Sequence, residues 1–452
     1  MSDRDERREA RRKRRIRNQI VSYLVLCIML AAAAAGAYFG ITAAQSAITA
    51  KRNAKEEMLQ AALEESRAQE TAEAESAVAE LLELGETQQE TETEEYTPQA
   101  ALDEMVEECI NAMTLEQKVA GLFFVTPEQL TGVQKATAAG DGTKEALQKY
   151  PVGGLIYFKQ NIVSEDQIKE MLANTVSYST FPIFLGVDEE GGSVARVADA
   201  LNLENVGDMA DLGSAGDAQA VYDAYTKIGE YLSSYGFNVN FAPVADVLTN
   251  EENPVIKDRA FGSDASLVSQ MVTSAFKGLE DHGVSSCLKH FPGHGDTDSD
   301  SHETAAQTDR TKEQMQEVEF VPFTAAITED VDMIMVGHIC APELTGGEKV
   351  PASISESIIT DILRKELGYE GIVITDAMNM RAITEYYETD VAAIMALKAG
   401  ADMVLMPEDF VAAYEGVLKA VQDGTISEER VNDSLKRIYR VKYADKIENS
   451  GI

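Results

Sequence analysis

Basic residues are scarce in this chain. Lys+Arg number 39 against 77 Asp+Glu over 452 residues, a formal net charge of −38. A surface so acidic repels polyanions, which argues against nucleic acid as a partner. Cysteine is scarce too: Cys27, Cys109, Cys287 and Cys340 show no C-x-x-C spacing, so neither a zinc ribbon nor a redox motif is signalled. They read as thiols, with a Cys287–Cys340 bridge as the less favoured alternative. No G-x-G-x-x-G or G-x-x-x-x-G-K-[ST] occurs, so an open doubly wound sheet would lack its phosphate loop. None of the five histidines stands in an H-E-x-x-H helix or an early H-x-H, the spacings of metal-dependent hydrolases. What the chain does have is 44% hydrophobic residues, enough for one large core.

The first apolar feature sets the compartment. Residues 1–19 form a basic tail, with nine Lys/Arg and four acids in the first 17 positions, and an apolar run follows from Ile20 to Ala44. A span needs about 20 residues, and basic residues on its N-terminal flank keep that end in the cytoplasm. A single-pass anchor at 20–44 with everything after it exported is expected. A cleaved signal peptide is the alternative, and it exports the same part. Residues 45–99 read as an acidic stalk and linker: first Ala/Glu/Leu/Gln-rich and helical, then Thr/Glu/Gln-rich with too little apolar content for a core. A folded domain is expected over 100–452.

Within that domain, β-like runs recur at Val119–Val125, Gly153–Phe158, Ile183–Val187, Phe237–Phe241, Val284–Leu288, Met333–Val336, Ile372–Thr375 and Met403–Met406, separated by helical segments. Strands alternating with helices indicate a parallel α/β sheet, and eight of them suggest a (β/α)₈ barrel. Asp188-Glu189-Glu190, Asp246, Lys289-His290, His338 and Asp376 stand at the C-terminal ends of five runs, where such a barrel builds its active site. Asp376 also suits the N-cap of a helix from Ala377. Lys and His are poor caps, so capping does not explain the whole set.

Four histidines, His282, His290, His294 and His302, crowd into 21 residues. After Lys289-His290 come Pro292, Gly293 and Gly295, which end the strand in a loop. Neighbours on a strand face opposite ways, so Lys289 and His290 share a pocket only if the strand ends or bulges there. Asp300 stands two residues before His302; in a tight loop it can bond one ring nitrogen and make the other a better base. A metal site and a purely structural loop are the competing readings of this cluster.

The ordered motifs Met113-Thr114-Leu115-Glu116, Gly153-Gly154 with Asn161, Asp188-Glu189-Glu190-Gly191-Gly192, Phe241-Ala242-Pro243-Val244-Ala245-Asp246, Asp258-Arg259-Ala260-Phe261, the histidine stretch, Pro351-Ala352-Ser353, Gly371-Ile372-Val373-Ile374-Thr375-Asp376 and Gly400-Ala401-Asp402 resemble glycoside hydrolase family 3, in particular its single-domain β-N-acetylglucosaminidases. That resemblance implies a retaining glycosidase without cofactor or metal, with Asp376 as nucleophile and His302, backed by Asp300, as general acid/base. It implies sugar-binding roles for Asp188, Arg196, Arg259, Lys289 and His290, and a GlcNAc-containing glycan, expected to be a cell-wall fragment, as substrate. Glu189 and Ser193 depart from the family's usual Gln and Arg. A β-glucosidase or β-xylosidase, a GlcNAc phosphorylase and an inactive wall-binding protein are the alternatives.

Overall fold

The computed structural model describes residues 97–297 and 306–450. The expected tail, span and most of the stalk, together with Cys27, Asp300 and His302, lie outside the described residues. Among those described, no helix is long and apolar enough to cross a membrane. The first described element is the helix Pro98–Asn111, which Thr97 caps by accepting from the Ala100 N–H.

The strands are β1 Phe123–Val125, β2 Gly154–Tyr157, β3 Phe184–Val187, a small hairpin β4 Glu189–Gly191 and β5 Val194–Ala195, then β6 Val239–Asn240, β7 Ser285–Phe291, β8 Met333–Val336, β9 Ile372–Thr375 and β10 Val404–Leu405. Eight of them form one parallel sheet in the order β10-β1-β2-β3-β6-β7-β8-β9. An isolated parallel bridge between Ile374 and Met403 links the two ends, and the Thr375 N–H donates to the Met403 carbonyl at 3.1 Å. The sheet is thus a nearly closed α/β barrel, which removes the open doubly wound alternative. The strands read as unbroken apolar runs because both faces are covered. Every residue of β2, β3, β8 and β9 is buried.

Five strands, β1, β2, β3, β6 and β10, are shorter than their apolar runs, β2 and β3 by only one or two residues. The run from Val119 begins in the helix Leu115–Ala120, which a Thr114/Gln117 capping box starts, so hydrogen-bonded caps claim residues that hydrophobicity alone assigns to the strand. β6 and β10 keep only two paired residues each. β7 is longer than its run, continuing through Lys289 and His290 to Phe291.

Inside the barrel, Phe124 meets Phe241 edge-on at 5.2 Å and stacks on Phe184 at 6.3 Å. Gly154 and Gly186 make this possible: a Cβ at either would come within 3.0 Å of the Phe124 ring. Space saved on β2 and β3 is filled from β1, the interdigitation that close packing requires.

Candidate active site

A cavity of about 450 Å³ opens at the C-terminal ends of the strands. Asp188, Arg196, Arg259, Lys289, His290 and Asp376 all line it, so all six of the described residues expected at a site come together there. They arrive from several pieces of local structure, with Lys289 and His290 sharing β7.

Asp188 follows β3. The chain then runs through the β4–β5 hairpin, whose turn uses Gly191 (φ 101°) and Gly192 (φ 54°), a left-handed conformation natural to glycine. Alternation along this extended segment sends Asp188 and Glu190 to one side and Glu189 to the other. On the cavity side, Lys289 Nζ lies 2.8 Å from Asp188 Oδ1 and 2.6 Å from Glu190 Oε1. Arg259 grips Glu190 through two hydrogen bonds of 2.8 Å, the bidentate geometry that suits guanidinium to carboxylate. Burial alone would raise the Glu190 pKa, but Arg259 and Lys289 outweigh it and hold the carboxyl well below the usual range. Burial likewise opposes charge on Lys289, and Asp188 and Glu190 keep its pKa above the ordinary value. Glu190 and Lys289 are therefore ionised near neutral pH.

Glu189 turns away and is fully buried. It accepts from the Val197 and Ala198 N–H groups at 2.6 and 3.0 Å and from the Tyr231 hydroxyl at 2.8 Å. Those amides open the helix Arg196–Leu201, so Glu189 fixes the turn that presents Arg196. Burial pushes its pKa up to about 7 against the pull of these donors. The Arg196 Nε is buried with no hydrogen-bond partner among the described residues, while the residue lines the cavity.

The pairing of β7 with β8 shifts register between Leu288 and Phe291, the irregularity that lets Lys289 and His290 face one cavity; the peptide between them is cis. Asp246, fully buried, organises this turn. It accepts from the His290 N–H at 3.2 Å, from the His294 N–H at 2.6 Å and from His290 Nδ1 at 2.8 Å. A carboxylate only accepts, so Nδ1 carries the proton and Nε2 remains the ring's second polar atom. Burial would raise the Asp246 pKa, yet His290 and His294 hold it below the ordinary value. Asn253 ties the Arg259 loop to the same turn through the His294 and Thr297 carbonyls.

Asp376 ends β9 and accepts from the Ala377 N–H at 2.7 Å. It is not a helix N-cap: the next helix starts at Arg381, with Met380 before it. His338 is not among the cavity residues. Its Nε2 donates to the Ala377 carbonyl at 2.9 Å and its Nδ1 faces the Ser353 hydroxyl at 2.7 Å, so it braces the backbone next to Asp376. His294 is spent on Thr297, and His282 precedes β7, at the far end of that strand. Cys287 and Cys340 are free buried thiols, not a bridge. Among the described residues, no group of three or more His, Cys, Asp or Glu could hold a metal ion.

Sequence reasoning left Glu190 and Asp246 without site roles, although Glu190 was legible from its spacing of two from Asp188. It also missed the apolar wall of Phe158, Val255, Met335, Met380 and Met406, which looks like ordinary core in a sequence. Together these surfaces offer carboxylates and cations to the hydroxyls of a polyol, an apolar face to its ring, and one carboxylate, Asp376, at the boundary.

The family model described as the glycosyl hydrolase family 3 N terminal domain matches residues 114–441. Beta-hexosaminidase A of Pseudoalteromonas piscicida is 34% identical over 325 residues, covering 66% of this chain and 54% of that protein. A beta-hexosaminidase of Idiomarina loihiensis is 33% identical over 296 residues, 65% of this chain and 88% of that protein. The chain thus spans about half the length of the first relative and most of the second. Among solved structures, a glycoside hydrolase family 3 beta-N-acetylglucosaminidase from Paenibacillus sp. superposes with a TM-score of 0.68 at 37% identity, covering 75% of this chain and 64% of that one.

Proposed function

The chain belongs to glycosyl hydrolase family 3, and from that premise we propose that it is a retaining β-N-acetylglucosaminidase that removes terminal GlcNAc from cell-wall-derived fragments. The observation that carries this reading is the position of Asp376, the family-like aspartate, at the end of β9 in a cavity shared with Asp188, Arg196, Arg259, Lys289 and His290. The relatives named beta-hexosaminidase and beta-N-acetylglucosaminidase support the sugar.

In this mechanism the sugar hydroxyls bind to the Asp188–Lys289 pair, Arg259, Arg196 and His290. Asp376 attacks the anomeric carbon as the glycosidic C–O bond breaks, and His302 gives its proton to the leaving oxygen. Water then attacks the glycosyl ester, losing a proton to His302 and releasing Asp376 as a carboxylate. Asp300 positions the imidazole, whose ordinary pKa near 6.5 suits both directions of transfer. The anchor at 20–44 holds this domain outside the cell membrane, where wall fragments are met; N-terminal sequencing of the mature chain beginning at residue 1 or 2 is expected, and a start near residue 48 would replace the anchor by a cleaved signal.

The test is hydrolysis of 4-nitrophenyl β-GlcNAc by the purified full-length chain. Turnover without added metal is expected, with the β-anomer released first and a loss of roughly 10⁴-fold in Asp376→Ala. Full activity in that variant, loss on chelation, or sugar 1-phosphate formed in phosphate buffer would overturn the reading.

A further inference from the structure

Glu190, Ser193 and Val194 of the β4–β5 hairpin line the cavity, and Arg259 meets Glu190 there from a loop 69 positions further along the chain. Neither the hairpin nor that loop belongs to the eight-stranded sheet, so strand pairing alone does not set the spacing between them. The segment 205–213 touches both. At the hairpin end the contact is made by Asn205, an exposed residue. Its Nδ2 donates to the Gly192 carbonyl at 2.8 Å, while its Oδ1 accepts from the Gly192 N–H at 2.9 Å and the Gly207 N–H at 3.0 Å. The amide pairs with both polar groups of Gly192 as a neighbouring strand would, which requires a side chain carrying both a donor and an acceptor. The backbone beside it is packed without slack: a Cβ at Gly191 would come within 3.0 Å of Val206, Gly207 and Met209, and one at Gly192 would overlap Asp208.

At the other end the helix Met209–Ala215 lies against the Arg259 loop. The Ala210 N–H donates to the Asp258 carbonyl at 3.2 Å, and Gly213 sits so close to Phe261 that a Cβ there would overlap the Phe261 carbonyl. Asp258 and Phe261 flank Arg259 in the sequence. The buried Tyr225 hydroxyl completes the frame, donating to the Glu190 carbonyl at 3.2 Å and lying 3.3 Å from the Met209 sulfur. A plain connection between two elements needs neither a side-chain clasp at its start nor a contact that only glycine permits further on. Here both occur where the segment meets the walls of the cavity.

We infer that the segment 205–213 is a bracket that sets the spacing between the hairpin tip and the Arg259 loop, and that Asn205, which does not itself line the cavity, is a positioning residue for Ser193 and for the Glu190–Arg259 pair. The inference rests on the proposed glycosidase reading, in which Arg259 holds hydroxyls of the bound sugar. Those contacts are made in the ground state and the transition state alike, so a loosened bracket weakens both and its effect falls on KM, with kcat kept.

The test uses the purified full-length chain and 4-nitrophenyl β-GlcNAc. Asn205→Ala removes three hydrogen bonds from the surface and leaves the core intact; it should raise KM and the inhibition constant of free GlcNAc together, each by about fivefold, with kcat within roughly twofold. Amide exchange in the segment 189–195 should quicken in the same variant. Gly213→Ala, which pushes the bracket off the Arg259 loop, should raise KM by about tenfold wherever it folds, and the Asn205 variant decides the matter if it does not. Glu204→Ala breaks the neighbouring exposed ion pair to Lys227, 3.0 Å long, and should leave KM and exchange as in wild type. A lowered melting temperature with KM unchanged in Asn205→Ala, a fall in kcat alone, exchange in 189–195 unaltered, or an equal rise of KM in Glu204→Ala would overturn the bracket while the glycosidase stands. No cleavage of 4-nitrophenyl β-GlcNAc by wild type would remove the glycosidase reading and the positioning role with it.

Discussion

The barrel carries a buried ion cluster at each end, and the two are built on different principles. At the C-terminal end, two cations and two carboxylates, Lys289, Arg259, Asp188 and Glu190, border a cavity that Arg196 also lines. At the N-terminal end a single fully buried carboxylate, Asp402, meets Arg364, Arg437 at 3.2 Å and Arg430 at 3.5 Å. It also accepts from the Ser434 hydroxyl at 2.8 Å and the Val373 N–H at 2.9 Å. Burial would raise the Asp402 pKa, and the arginines hold it below the ordinary value. This lower cluster joins the start of β9 and the approach to β10 to the C-terminal helix Glu428–Ser450. Its geometry saturates a carboxylate with three arginines; the upper one brings its cations and carboxylates to the edge of the cavity that Asp376 lines. The first is a clamp, the second a binding surface, in keeping with catalysis at one face of such barrels and stability at the other.

That contrast can be broken by exchanging losses. Lys289→Ala should reduce kcat/KM on 4-nitrophenyl β-GlcNAc by about 10³-fold, since a charged contact to the bound sugar disappears. A loss confined to thermal stability would contradict its place in a binding surface. Asp402→Ala should do the reverse: it strands three arginines and should cost about 3 to 5 kcal/mol in urea unfolding, with kcat/KM near wild type well below the melting transition.

Glu189 sharpens the comparison, because it is a clamp at the upper end. Its pKa rises from 4.5 to about 7 on folding. Between those values the unfolded chain releases the proton and the folded chain keeps it, so stability falls as pH rises through that window and is level above it. The expected fall is about 3 kcal/mol, and Glu189→Gln should flatten it. An unchanged slope of unfolding free energy against pH would refute the assignment. The smallest effect belongs to the surface. Lys365 and Asp361 pair at 2.9 Å on an exposed helix face, and Lys365→Ala should change stability by no more than about 0.5 kcal/mol. A larger value would mean that pairing, and not burial, sets the scale of the clamp.

Much of the barrel was legible because hydrophobicity and strand position are local properties. Met333–Val336 and Ile372–Thr375 match their apolar runs to the residue, and Asp188, Lys289 and Asp376 were visible as polar residues ending such runs. What was not legible depends on partners distant in the chain. The salt bridge of Glu190 to Arg259 spans 69 positions and that of Asp188 to Lys289 spans 101, so pairing strength is invisible in a linear reading. Met335 and Met406 look like core until a cavity opens beside them. His338 has the residue type and the strand position of a catalytic group, and only its bonds to Ser353 and Ala377 show that it braces the backbone. Asp376 was offered both as a helix cap and as a nucleophile; the helix that starts later, at Arg381, leaves the cap without a helix.

Asp376 as the nucleophile is the claim on which the rest depends, and trapping tests it most directly. The full-length chain would be incubated with 5-fluoro-N-acetylglucosaminyl fluoride, digested, and mapped by mass spectrometry. One sugar adduct on the peptide containing Asp376, formed as activity is lost, is the predicted result. An adduct on Asp188, Glu190 or any other carboxylate, or inactivation with Asp376 unmodified, would contradict the account.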